Sequence, residues 1–226
     1  MLVATESQDR MKPGRGIVLL GGGGHCEIVI DALRQCRRFM IEGILDPNPD
    51  LRSVSGIPVI GDDDCLLKIR STVCPNAMIT VGSVGFPAVR IRIAARLIEL
   101  GFCCPSVIHP AARVAKTAII EDGAFIAAGA IVNPYATVDA HAIVNTGSII
   151  EHHCRIGRFV HIAPGAVVCG GVVVGDNTHI GANATVIEGR RIGSNALIGA
   201  GAVVVRDVPA GRKAFGNPCA LKGRHE

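Results

Sequence analysis

From Ile108 to Val204, every sixth residue is Ile or Val, 17 positions in unbroken succession. The residue four places after each is usually small: Ala112, Ala118, Ala124, Ala130, Ala136, Ala142, Ser148 and Cys154, then Ala166, Thr178, Ala184, Ala196 and Ala202. A period of six lays no continuous stripe along a helix of about 3.6 residues per turn, and Gly and Pro interrupt the region repeatedly. Plain alternation of period two would not single out every third inward position for an aliphatic side chain. One aliphatic and one small residue per hexapeptide therefore predict a parallel β-helix, with three units to a turn. The aliphatic residue points inward and the small one lets the corner close. Stacked at the roughly 4.7 to 4.9 Å spacing of paired strands, the coils share one dry core that no single unit could build. Solenoids with this repeat wind left-handed, against the usual crossover rule.

Before the repeat, the pattern changes to short apolar runs alternating with amphipathic stretches. It predicts strands over 16–20, 40–45, 57–60 and 77–81, and helices over 27–38, 62–70 and 87–100. Alternation of this kind implies a parallel sheet with a ligand crevice at the strand ends, a small Rossmann-like α/β unit. After the first strand, Gly21 to Gly24 make a tight loop at a helix start, where backbone N–H groups can approach a phosphate. Gly21 and Gly23 match two glycines of a GxGxxG fingerprint, but Cys26 stands at the third, so a turn that binds nothing remains open. Asp46, at the end of the second strand, is either a ribose or base acceptor or a turn residue before Pro47.

Composition narrows the function classes. The mean hydropathy is high, at +0.41, but the apolar runs fall far short of the roughly 18 residues a membrane span needs, so the hydrophobicity belongs to a solenoid core. The polar start of the chain reads as a flexible tail without a signal-peptide core, which implies a cytoplasmic protein. Nine cysteines without a CxxC pair imply reduced thiols. Cys154 sits at an inward corner, where packing explains it. A net charge of +4 with 3% aromatic residues and no Trp argues against single-stranded nucleic-acid binding, leaves no nucleic-acid partner expected, and fits small phosphorylated ligands.

Polar residues on the solenoid carry the candidate chemistry. Glu151, His152 and His153 lie between inward Ile150 and Cys154, and so face outward or sit at a corner. His161 precedes inward Ile162, and His179 lies one coil above it. A single outward histidine is ordinary surface, but two adjacent ones and a third nearby point to a site, with neighbouring subunits of a trimer joining different faces. A histidine near its ordinary pKa of about 6.5 accepts and releases a proton at neutral pH. Gly170 and Gly171, one coil above His152 and His153, offer backbone N–H groups to an oxyanion or simply turn a corner.

Taken together, Leu20-Gly-Gly-Gly-Gly-His25, Val107-Ile-His-Pro110, Asn145-Thr-Gly-Ser-Ile-Ile-Glu-His152, Cys154-Arg-Ile-Gly157, His161-Ile-Ala-Pro-Gly-Ala166 and Gly216-Asn-Pro218 resemble one family. It comprises the two-domain hexapeptide acyltransferases, bacterial UDP-4-amino-sugar N-acetyltransferases and sialic acid O-acetyltransferases, and the resemblance spans roughly 16–221. It implies a flexible tail over 1–14, a nucleotide-sugar-binding domain over 15–104, and a left-handed β-helix acetyltransferase domain with a C-terminal extension over 105–226. It also implies a homotrimer with acetyl-CoA between neighbouring coils, working on a nucleotide-linked amino sugar in surface-glycan synthesis. His152 then matches the general base. His161, Gly170, Ala182 and Ala200 fall to the acetyl-CoA site, and Gly23, Gly24, His25, Asp46 and Gly82 to the nucleotide sugar. No metal is implied.

Three residues depart from the family pattern. His153 stands where an acid usually follows the base, so that either Glu151 substitutes or His153 tunes the pair. Pro47 replaces an acid that often follows Asp46, which leaves the nucleotide base open. Arg190 occupies a small-residue corner, which predicts a bulge; the alternative is a guanidinium turned outward to a CoA phosphate. Three competing functions remain open: sialic acid O-acetylation, a carbonic anhydrase-like metal site built from His152, His153, His161 and His179, and a non-catalytic nucleotide-sugar-binding trimer.

Overall fold

The computed structural model describes residues 16–224; the tail expected over 1–14 lies outside them. The first domain comprises β1 (Gly16–Leu20), α1 (Gly24–Cys36), β2 (Met40–Leu45), β3 (Ser53–Val54), β4 (Ile57–Gly61), α2 (Leu66–Thr72), β5 (Asn76–Ile79) and α3 (Ala88–Glu99). Its sheet runs β3-β4-β2-β1-β5. β1, β2, β4 and β5 are parallel, and β3 closes the edge as an antiparallel hairpin with β4. Every residue of β1 is buried, as expected for a parallel strand covered on both faces. The chain leaves β1 for β2 on one side and returns to β5 on the other, so a crevice opens at the C-terminal ends of β1 and β5.

The repeat winds as a left-handed parallel β-helix of triangular section. Its first face begins with Val107–Ile108, its second with Arg113–Val114 and its third with Ile119–Ile120. Each strand pairs with the one 18 residues later, as in Ile143 with His161 and His161 with His179. The inward residues from Ile126 to Val204 form one core with the small corner residues. Each fully buried Ile or Val contributes about 1.5 to 3 kcal/mol. The first face continues into Arg212–Phe215, which pairs with Ala220–Arg224 in a closing antiparallel hairpin.

A second period of six lies in the backbone. Every sixth residue from Gly123 to Gly201 has positive φ, and most are Gly or Asn. Tyr135, His141, His153 and Phe159 are the exceptions, with φ between 56 and 62, a conformation that costs a side-chain-bearing residue roughly 1 to 2 kcal/mol. They stack in pairs one coil apart, Tyr135 on His153 and His141 on Phe159. No bulge forms at Arg190. The register continues unbroken from Val173 to Arg191, and the guanidinium turns outward to the Glu188 carbonyl, 3.1 Å away, and towards Asp207. The small residue is dispensable there because the long side chain leaves the corner instead of filling it.

The first domain rests on the first face. Val29, Ile30 and Leu33 of α1 join Val107, Phe125 and Ile143 in a common core. Beside them, His109 accepts the Ala111 N–H on Nδ1 at 3.0 Å, so its Nε2–H points to Asp31 of α1 at 3.3 Å.

Candidate functional site

At the crevice, α1 begins at Gly24, three residues earlier than the apolar pattern suggests, because the glycine loop itself enters the helix. Its cap residue, Gly23, makes no side-chain capping bond, and a Cβ at Gly23 or Gly24 would meet nothing within 4 Å. The N-terminus of a 13-residue helix is thus left bare, with positive partial charge facing open space. Asp46 lies against this loop: one carboxylate oxygen accepts the Gly22 N–H at 2.7 Å, the other the Asn48 N–H at 2.9 Å. Lone pairs remain for a ligand. Gly82, on the loop after β5, packs against His25, and any Cβ there would come within 3.3 Å of the His25 Cβ.

Between this crevice and the coil lies a polar core that the apolar pattern did not reveal. Arg90 of α3 is 1% exposed and pairs with no carboxylate among the described residues. Its guanidinium donates to the carbonyls of Val81 at 2.6 Å and His141 at 2.8 Å, tying the loop after β5 to an edge of the coil. Burial holds its pKa down at about 10. Burial, reinforced by Arg90, lowers His25 to about 3 and His141 to about 4, so both rings are neutral. His161 completes the group. Its Nδ1–H donates to the Ser83 carbonyl at 2.6 Å, and its Nε2 accepts from Asn145 at 3.1 Å. Burial lowers its pKa, with the Ser83 bond opposing and Arg90 assisting. His179 stacks edge-on above it, with ring centroids 5.0 Å apart.

The adjacent histidines lie on the edge between the second and third faces. His152 is exposed, and its ring lies over Gly170 of the next coil; a Cβ there would be 2.7 Å from Cε1 and 2.8 Å from Nε2. His152 Nδ1 is 3.1 Å from His153 Nδ1, so one of the two carries its proton on that nitrogen. When His152 is the donor, its Nε2 is left bare, as a general base requires. Glu151 accepts the backbone N–H of His152 at 3.3 Å. It caps the corner and is not the carboxylate that holds the imidazole; His153 takes that place. Gly171 cannot serve an oxyanion, because its N–H donates to the His152 carbonyl at 2.9 Å. At Gly170's corner position the N–H points out of the ladder. Side-chain oxygens take it at Thr146, His152 and Arg158, whereas at Gly170 it meets no acceptor among the described residues. Cys154 is buried and its thiol pushed up to about 11 by burial, which excludes it as a nucleophile.

One chain does not bring all these residues together. Glu151, His152, His153 and Gly170 share one edge. His161 and the first domain occupy the opposite face, and Ala182 and Ala200 stack on the edge between the first and second faces. The same separation keeps His152 and His153 away from His161 and His179, so three of them do not meet at one point within a chain. Among the described residues no group of three or more His, Cys, Asp or Glu is placed to hold a metal ion, and none of their helices is long and apolar enough to cross a membrane. Arg90, His141, Asn145 and Ser83 were not anticipated. Arg90 had a legible signal: it occupies the first place of the stripe Arg90, Ile93, Ala94, Leu97, where an apolar residue belongs.

Both parts of the chain match known proteins. Residues 16–97 match the PglD N-terminal domain, and 153–188 and 171–206 match the bacterial transferase hexapeptide. The chain is similar to PerB of Caulobacter crescentus, solved in complex with CoA and GDP-perosamine, with 36% identity and a TM-score of 0.86 over 92% of this chain and 97% of that one. It is also similar to the acetyltransferase domain of PglB from Neisseria gonorrhoeae in complex with acetyl coenzyme A, with 33% identity and a TM-score of 0.85 over 93% and 100%. WeeI from Acinetobacter baumannii, 24% identical over 91% and 99% with a TM-score of 0.81, shares the fold. No curated protein matches the chain in sequence.

Proposed function

We infer, from the premise that this chain belongs to the PglD-type two-domain hexapeptide sugar acetyltransferases, that it moves an acetyl group from acetyl-CoA to the amino group of a nucleotide-linked amino sugar. His152 is the base. Its Nε2 takes a proton from the acceptor amine as the nitrogen attacks the thioester carbonyl. A C–N bond forms, the tetrahedral oxyanion is stabilised by the outward N–H of Gly170, and collapse breaks the C–S bond, the proton held by His152 passing to the departing sulfur so that CoA leaves as its thiol and the base is restored. The single observation that carries this reading is the His152 ring held over Gly170 with Nδ1 against His153, which leaves one nitrogen for the substrate. An amine asks less of the base than a hydroxyl does, and among the described residues the His152 ring bonds His153 rather than a carboxylate. This favours N-acetylation over O-acetylation.

The bare α1 N-terminus at Gly23 and Gly24, with Asp46, Gly82 and neutral His25, takes the nucleotide sugar. His161, Ala182 and Ala200 line the acetyl-CoA side, and the domains divide near residue 105. Because His152 lies across the prism from its own first domain, a working site pairs His152 of one copy with the crevice and His161 of a neighbour. This is the arrangement of a homotrimer about a threefold axis, working in the cytoplasm on surface-glycan precursors. The test is free-thiol release from acetyl-CoA with a panel of UDP-, GDP- and dTDP-linked amino sugars and free sialic acids. His152→Ala is expected to lose at least about a hundredfold in kcat with Tm unchanged; turnover retained in that variant overturns the assignment of the base.

A further inference from the structure

We propose that Tyr135 is a positioning residue for the reacting histidine, acting through His153; this rests on the reading of His152 as the base. Tyr135 and His153 stand one coil apart on the same edge, at successive left-handed positions with φ of 62 and 58. Most such positions hold Gly or Asn, which accept this backbone readily. Both side chains are kept here against that preference, and together they form a stack with ring centroids 5.1 Å apart and planes 28° from parallel. The His153 ring in turn meets His152 edge-on, at 5.3 Å and 84°, with the two Nδ1 atoms 3.1 Å apart.

The chain of constraint is physical and short. Tyr135 fixes the plane of His153, His153 fixes which nitrogen faces His152, and that contact sets which nitrogen of His152 is bare. A carboxylate would accept from His152 Nδ1 in several rotamers, whereas an imidazole accepts only in its own plane, so a histidine in this role needs its ring held. Among the described residues of one chain, no other ring stacks on His153. Gly171, one coil above, has no side chain, and Glu151 is engaged by the His152 backbone N–H. Tyr135 is 60% exposed and its hydroxyl makes no hydrogen bond among the described residues, so the aromatic face is the working part.

The chain has one tyrosine and no tryptophan, which makes the stack directly observable. The experiment compares kcat, KM, Tm and the near-ultraviolet CD band of that tyrosine in the full-length protein. Tyr135→Phe keeps the face and is expected within twofold of wild-type kcat. Tyr135→Gly removes the ring but relieves the strained backbone. Its kcat is expected to fall about two- to tenfold, the worth of an aromatic pair, with both KM values within twofold and Tm within about 3 °C. A purely structural tyrosine would instead lower Tm and leave kcat alone. Wild-type kcat in Tyr135→Gly, or a loss in Tyr135→Phe equal to that in Tyr135→Gly, overturns the proposal while leaving the acetyltransferase reading intact. Wild-type protein that transfers no acetyl group overturns that reading itself. His153→Ala should flatten the tyrosine CD band, and an unchanged band overturns the stack whatever the activity.

Discussion

Replacing Gly170 by Ala should damage catalysis without damaging the coil. A Cβ at that position would lie 2.7 Å from His152 Cε1 and 2.8 Å from Nε2, whereas ordinary contact begins near 3.4 Å. The imidazole must therefore move by about 0.7 Å or more, in a ring whose Nδ1 is committed to His153. Displacement on that scale costs a general base about ten- to a hundredfold in kcat, or about 1.4 to 2.7 kcal/mol of transition-state stabilisation. Stability should hold, because Gly170 is not among the positive-φ residues, and a compatible Gly→Ala change gains about 0.4 to 1 kcal/mol through the unfolded chain. The neighbouring Gly171 supplies the internal contrast. Its φ is +67 and an added Cβ would meet nothing within 4 Å, so Gly171→Ala should lose about 1 to 2 kcal/mol, a few degrees in Tm, with kcat unchanged. The assay is thiol release from acetyl-CoA alongside thermal unfolding. Wild-type kcat in Gly170→Ala, or parallel losses of activity and Tm in both variants, refutes the reasoning.

Two further outcomes follow from the placement of the site. His152→Ala and Gly24→Glu, the latter putting a charge at the bare α1 N-terminus, should each be nearly inactive; co-expressed, they should recover about a quarter of wild-type turnover, since random assembly pairs a good edge with a good crevice in that fraction of sites. A mixture with no recovery places the whole site in one chain. Acid should also loosen the domain junction: His25 and His141 are lowered to about 3 and about 4 in the folded protein, so as pH falls below about 6.5 the unfolded chain takes up protons first. The stability they lend is complete above that pH and falls progressively towards their folded values, by about 2 kcal/mol each at pH 5. A urea midpoint that does not change between pH 7 and pH 5 contradicts this.

The solenoid was legible because its constraint is local and repeated. Each Ile or Val at the sixth position meets the same inward environment, and the register that stacks His179 on His161 follows from counting. The ends of the first-domain elements were less legible. α1 starts within the glycine loop, and β5 stops at Ile79, two residues short of the apolar run, where Thr80 turns its hydroxyl to the Gly21 carbonyl at 2.6 Å. The second period, of left-handed corners, was written in Gly129, Gly147, Gly165, Asn177, Asn183 and Asn195, but it becomes a structural statement only with φ values. The sequence leaves two courses open for Arg190 because a corner rule says what fits inside, not where a long side chain goes when it leaves; the structure takes the outward one.

By itself the sequence determined the coil, its period, the change of pattern before it and the outward placement of His152 and His153, since these depend on which residue types recur at fixed spacing. Only the tertiary structure decided how His152 is held. Nothing in the spacing says that Glu151 bonds the backbone, that His153 meets the ring, or that Tyr135 stacks behind it. Nor could periodicity place a buried Arg90 between crevice and coil. The contacts around His152 depend on how side chains of neighbouring coils pack on one edge, and those of Arg90 on docking the first domain against the coil; both are settled by the shapes of folded surfaces rather than by the order of residues.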